Sequence, residues 1–140
     1  MTDAPEILRL PPYTPLPDWV ARLDRTAFGS AWKTPALHEA VWVVPGLAFA
    51  RWALVPAAGE AELLRIAVDP AHRGRGLGRL LLEACQRDLS ADGLVHLFLE
   101  VRVSNAAAIQ LYRTCGWEPC GTRRGYYADG EDAALYQRVD

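Results

Sequence analysis

Apolar positions recur along this chain in two periods, and the switches between them mark out its elements. Alternation and short apolar runs predict strands at Glu6–Leu10, Val41–Val44, Leu47–Val55 and Glu62–Val68, the second and third joined through Pro45-Gly46. Between the first two strands, Pro11, Pro12, Pro15 and Pro17 forbid regular structure. The spacing of Trp19, Val20, Leu23 and Ala27 then predicts a helix over Asp18–Phe28, with Asp18 as its cap. A short helix is expected near Pro35–Ala40. Leu77, Leu80, Leu81, Ala84, Cys85 and Leu89 repeat at helical spacing and predict a second long helix, ended by Ala91-Asp92-Gly93. Val95–Leu99 is mostly apolar on both faces, as a strand covered on both sides would be. A helix over Asn105–Thr114 follows, closed by Gly116, and two strands near Trp117–Arg123 and Ala133–Arg138 complete the chain. The expectation is one mixed α/β domain spanning residues 1–140, without repeat or linker.

Bulk numbers narrow the partners more than the fold. The 140 residues are 51% hydrophobic and 23% charged, with a formal charge of −2. That balance lacks the basic surplus of a domain that grips nucleic acid. No apolar run reaches the roughly 20 residues that span a bilayer, and the first residues carry no secretory pattern, so a cytoplasmic protein is expected. Cys85, Cys115 and Cys120 have no metal-ligand spacing, nor do His38, His72 and His96, and no metal is expected.

Charge is concentrated at one place. Arg73-Gly-Arg-Gly-Leu-Gly78, followed by Arg79, lies between a strand and the start of a helix. A helix N-terminus offers unpaired N–H groups and partial positive charge, and glycines let an anion approach the backbone. Position 79 is Arg where a nucleotide P-loop needs Lys, and Gly78 follows Gly76 too closely for a dinucleotide fingerprint.

The pattern Arg-x-x-Gly-x-Gly resembles instead the acyl-CoA pyrophosphate loop of GNAT acetyltransferases. Ile66-Ala-Val-Asp-Pro70, Leu99-Glu-Val-Arg102, Ser104–Ile109, Leu111-Tyr112, Arg123–Tyr127 and Gly130–Ala133 are similar to one branch, the bacterial ribosomal-protein alanine N-acetyltransferases (RimI type). The resemblance is dense from Leu63 onward and thins before it to positions such as Phe28 and Trp32, with Lys33 where that branch has serine. It implies a mostly antiparallel sheet splayed between two parallel strands and flanked by helices. It implies acetyl-CoA as co-substrate, held by the backbone of Ile66, Ala67 and Val68, by Arg73, Gly74, Arg75, Gly76, Leu77, Gly78 and Arg79, and by Asn105.

Acetyl transfer to an amine needs one group to take a proton and another to give one. Glu100 ends an apolar strand and is the candidate general base, the plainer reading being an ion pair with Arg102. Tyr112, two helical turns after Asn105, is the candidate general acid, or else an aromatic packing its helix on the sheet. The matching glutamate and tyrosine of the RimI-type branch carry those two roles. Tyr126 and Tyr127 could wall the acceptor, with Glu131 and Asp132 attracting a cationic segment. The expected acceptor is the N-terminal alanine of a ribosomal protein. A small-molecule amine, or a non-catalytic acyl-CoA-binding module, is the alternative.

Overall fold

A computed structural model describes residues 5–12, 14–32, 35 and 38–140. Its strands are β1 (Leu8–Arg9), β2 (Glu39–Val44), β3 (Ala48–Val55), β4 (Glu60–Val68), β5 (His96–Arg102), β6 (Glu118–Arg123) and β7 (Ala133–Val139). Its helices are α1 (Asp18–Phe28), α2 (Leu77–Ala91) and α3 (Ala106–Thr114). The strands form one sheet in the order β1-β2-β3-β4-β5-β7-β6, and every pair is antiparallel except β4 with β5. The expected mixed α/β architecture, with two parallel strands inside an otherwise antiparallel sheet, is what the chain adopts.

Two apolar layers cover the sheet unequally. Leu81, Leu82, Cys85 and Leu89 of α2 and Tyr112 of α3 pack on Trp42, Trp52, Leu63, Leu97 and Leu99 in the larger core. On the other face, Val20 and Leu23 of α1 pack on Val41, Val43, Phe49 and Ala67. That smaller layer covers β2 to β4 and does not reach β5. Hence β5 is not covered on both sides, as its apolar run suggested: Leu97, Leu99 and Val101 are buried while His96, Phe98 and Glu100 are half-buried. Phe98 keeps company with the His96 ring, 4.1 Å away between centroids.

α1 has the predicted limits, but Asp18 is its first helical residue and Pro17 its N-cap. Proline is suited to the edge of a helix because its missing N–H would have no partner there. Asp18 instead places negative charge in the first turn, where the helix dipole favours it. Gly29 closes the helix at φ +82°, its N–H donating to the Arg25 carbonyl at 2.8 Å. The short helix expected at Pro35–Ala40 falls partly outside the described residues. Its last two members, Glu39 and Ala40, are strand, paired with Ala53 and Trp52 of β3.

The feature that shapes the site is a bulge. Arg51 of β3 pairs with Arg65 but Trp52 pairs with Leu63, so Leu64 is an extra residue in β4. Parallel pairing with β5 runs only from Glu60↔His96 to Leu63↔Leu99 and stops there. Beyond it β4 continues to Val68 and β5 to Arg102 without pairing to each other. A bulge bends and twists its strand locally, and this one lies where the two strands part.

Candidate active site

The parted ends open a cleft of about 440 Å³. β4 contributes Ile66, Ala67 and Val68, and the turn after it contributes Arg73, Gly74, Gly76, Leu77, Gly78 and Arg79. Asn105 and the first residues of α3 form the opposite wall. The residues expected to hold a cofactor are thereby brought together, with the exception of Arg75, whose side chain does not line the cleft. Lys33 lies outside the described residues.

Local chemistry explains the turn. Gly74 and Gly76 stand at φ +79° and +77°, a conformation that side chains disfavour, and no atom lies within 4 Å of where a Cβ would be. Gly76 is the N-cap of the fifteen-residue α2, and no side chain caps it. The first amides of α2 thus keep their donors unengaged by a cap, facing open space and flanked by arginines. This arrangement fits a pyrophosphate. Arg73 is steadied by the Val68 carbonyl at 3.3 Å, and Arg79 by Glu83 at 2.7 Å.

Six lining residues lie outside the predicted set, Ala107, Ala108 and Leu111 of α3 among them. Ala27 and Phe28 reach the cleft from α1, and His72, held by Asp69 at 2.6 Å, reaches it from the turn. His72 adjoins the glycine-rich loop in sequence, and that proximity was a usable signal. Nothing in the sequence shows that α1 ends here. Asn105 is the N-cap of α3, its Oδ1 accepting from the Ala108 N–H at 3.2 Å. Its amide nitrogen remains free to donate to a ligand.

Tyr112 is buried in the larger core, 6% exposed, with Trp117 at 6.1 Å between ring centroids. Burial, with a smaller contribution from Tyr127, raises its phenol well above the ordinary tyrosine value. The hydroxyl therefore holds its proton throughout the neutral range.

Glu100 lies inside β5 rather than at its end, and opens on a second cavity of about 350 Å³ with Glu60, Glu62, Cys120 and Arg123. Its partner is not Arg102 but Arg123, Nε to Oε1 at 3.2 Å. Burial, then the nearby Glu100 charge, raises the Glu62 carboxyl, while Arg123 pulls it down. The nearby Glu100 carboxylate raises the pKa of the Tyr126 phenol. Glu62 was not singled out from sequence, and Arg123 entered only as the first residue of the Arg123–Tyr127 motif, with no role. They meet Glu100 only through the β4–β5 register and the β5-β7-β6 strand order.

The acidic turn before β7 is not the free attracting surface expected of it. Arg102 donates to Asp129 and Glu131 at 2.8 and 2.9 Å, and Glu131 also accepts from the Ser104 N–H at 2.9 Å. Asp132 accepts from the Gly125 N–H at 2.8 Å. These acids fasten the β6–β7 loop to the β5–α3 loop, and Tyr127 lies 4.1 Å beneath the Arg102 guanidinium. Among the described residues no cluster of metal-ligating side chains occurs.

Comparison with known proteins agrees with this geometry. Residues 6–117 match the model of the acetyltransferase (GNAT) family. A crystal structure of the ribosomal-protein-S18-alanine N-acetyltransferase from Escherichia coli superimposes with a TM-score of 0.76 at 32% identity, over 96% of this chain and 94% of that one. The [ribosomal protein bS18]-alanine N-acetyltransferase of Salmonella typhimurium is 51% identical over 78 residues, 54% of this chain and 53% of that protein. The matched stretch thus spans about half the length of that relative. A putative enzyme of the same name from Bacillus subtilis is 30% identical over 132 residues, 84% of this chain and 85% of that protein. The chain belongs to the GNAT acetyltransferase family.

Proposed function

We propose that this chain acts as a single acetyl-CoA-dependent N-acetyltransferase domain, and that its acceptor is the N-terminal alanine of a ribosomal protein. The observation that carries the reading is the parting of β4 from β5 beside an uncapped, glycine-lined helix start. Acetyl-CoA, when bound, supplies an acetyl thioester with a good leaving group. Arg73, Arg79 and the amides from Gly74 to Gly78 hold its pyrophosphate. The free edge of Ile66–Val68 takes its amide-bearing arm as a strand would, and Asn105 steadies that arm. The N–H groups exposed past the bulge polarise the thioester carbonyl. Glu100 accepts the amine proton as nitrogen bonds to the carbonyl carbon, and Tyr112 gives its proton to the sulfur as the carbon–sulfur bond breaks. The reaction so drawn uses no metal.

The likeness to the Escherichia coli and Salmonella enzymes supports a ribosomal acceptor, which would place the reaction in the cytoplasm. Among the described residues no helix is long and apolar enough to cross a membrane. One observation favours the rival acceptor, a small amine: Glu131 is turned onto Arg102 and the Ser104 N–H, and Asp132 onto the Gly125 N–H, so neither carboxylate is free to pair directly with a basic peptide. An assay of acetyl transfer to a peptide beginning with alanine, against free amino acids and polyamines, decides between them. The ribosomal reading requires the peptide to exceed every small amine in kcat/KM, and equal values would replace it with the small-amine reading.

A further inference from the structure

Glu100 already has a cation seated on it. An amine acceptor arrives mostly as an ammonium, since α-amino groups titrate near pH 7.7–8. It must lose one proton before attack and a second as nitrogen bonds to the carbonyl carbon; both leave through the carboxylate that Arg123 occupies at 3.2 Å, which passes the first to solvent through its open cavity before it takes the second. Arg123 is more than half exposed and comes from an edge strand, so its side chain has room to move. Among the described residues, the other side-chain charges lining that cavity are Glu60 and Glu62. Glu62 is opposite Phe98 in the parallel register, so it stands diagonal to Glu100 on the same face. It also feels both the Glu100 and the Arg123 charge.

We propose that Arg123 is a place-holding cation, which leaves Glu100 when the acceptor ammonium arrives and is received by the carboxylate of Glu62. This rests on the amine-acetylating reading above. Arg123 and Glu62 are then positioning residues that act through Glu100. The exchange keeps the base from sitting as an uncompensated, half-buried anion between turnovers. It also selects for acceptors that arrive charged, because a neutral group cannot take over the ion pair. The pair is partly exposed, so its displacement should change acceptor KM by only about five-fold.

Steady-state kinetics of the full chain with a peptide beginning with alanine tests this, using Arg123→Gln, Glu62→Gln and the double variant. Thermal unfolding of each variant serves as the check on folding. Arg123→Gln should lower acceptor KM, since nothing need be displaced. Glu62→Gln should raise it, since Arg123 loses its second seat. In the double variant the Glu62 effect should vanish, leaving KM at the Arg123→Gln value, a non-additivity that general destabilisation would not produce. A rise in KM for Arg123→Gln, or a Glu62→Gln penalty that persists without Arg123, overturns the proposal, because either result puts that side chain in direct contact with the acceptor. Failure of the wild-type chain to transfer acetyl to any amine would instead overturn the functional reading beneath it.

Discussion

Gly76 combines a backbone requirement and an electrostatic one, and the two can be separated. Its φ of +77° is adopted at tolerable cost by asparagine as well as glycine, and no protein atom crowds the position. Gly76→Asp and Gly76→Asn are alike in shape and differ in charge. The aspartate variant should lose at least about tenfold in acetyl-CoA affinity, and the asparagine variant clearly less, because only the former sets an anion at the helix start. Calorimetry on the folded variants measures both, and equal affinities would remove the pyrophosphate from this turn. Tyr112 is tested by Tyr112→Phe, which keeps the ring against Trp117 and removes the proton. Turnover should fall by roughly 10²- to 10⁴-fold with little change in thermal stability. Because burial raises the phenol's pKa, wild-type kcat should show no alkaline loss from Tyr112 up to about pH 10. Residues 66–79 were legible in the sequence because strand, glycine turn and helix are contiguous there. Arg123 and Glu62 were not, since each is far in sequence from Glu100 and meets it only across strands.

Among the elements, α1 is held by more than its apolar stripe. Asp24 is buried, accepts from Arg65 Nη1 at 2.6 Å and from the Trp32 N–H at 2.6 Å, and ties the helix to β4 and to the segment after it. The Arg65 guanidinium stacks on Phe28 and Trp32 at 4.7 and 4.5 Å. Asp24→Ala leaves a largely buried arginine and a backbone N–H without partners, at a cost of about 3 kcal/mol. Thermal unfolding should show a fall of roughly 6–12 °C. A smaller cleft affinity for acetyl-CoA should accompany it, since α1 brings Ala27 and Phe28 to the lining. Helical periodicity gave the limits of α1, but the charge at its buried face breaks the apolar pattern and was not read as a tether. The bulge at Leu64 was equally hidden: a single extra residue leaves no mark in a mostly apolar segment such as Leu63–Val68. The resemblance, not the periodicity, implied that β4 and β5 part.

The whole molecule places its three thiols unequally. Cys85 is fully buried against the sheet and Cys115 is buried at the end of α3, while Cys120 is exposed on β6. A thiol reagent at pH 8 should therefore modify one cysteine rapidly in the native protein and the other two only on unfolding. Burial pushes the Cys85 thiol up to about 12, whereas the unfolded thiol ionises near 8.5. A raised folded value means that this contribution to stability is complete below pH 8.5. It declines above that and is gone once the pH passes about 12. Denaturant midpoints should accordingly fall between pH 9 and 11, and Cys85→Ser should flatten part of that slope. The same core fixes β5, and with it the position of Glu100 relative to the parted strand. The most direct measurement is acetyl transfer to an alanine-initial peptide by Glu100→Gln, with acetyl-CoA affinity determined on the same preparation. The expected result is binding within a few-fold of wild type together with a roughly 10²- to 10⁴-fold loss of turnover. Turnover near that of wild type from pH 6 to 9 would contradict it, and would take the base away from Glu100.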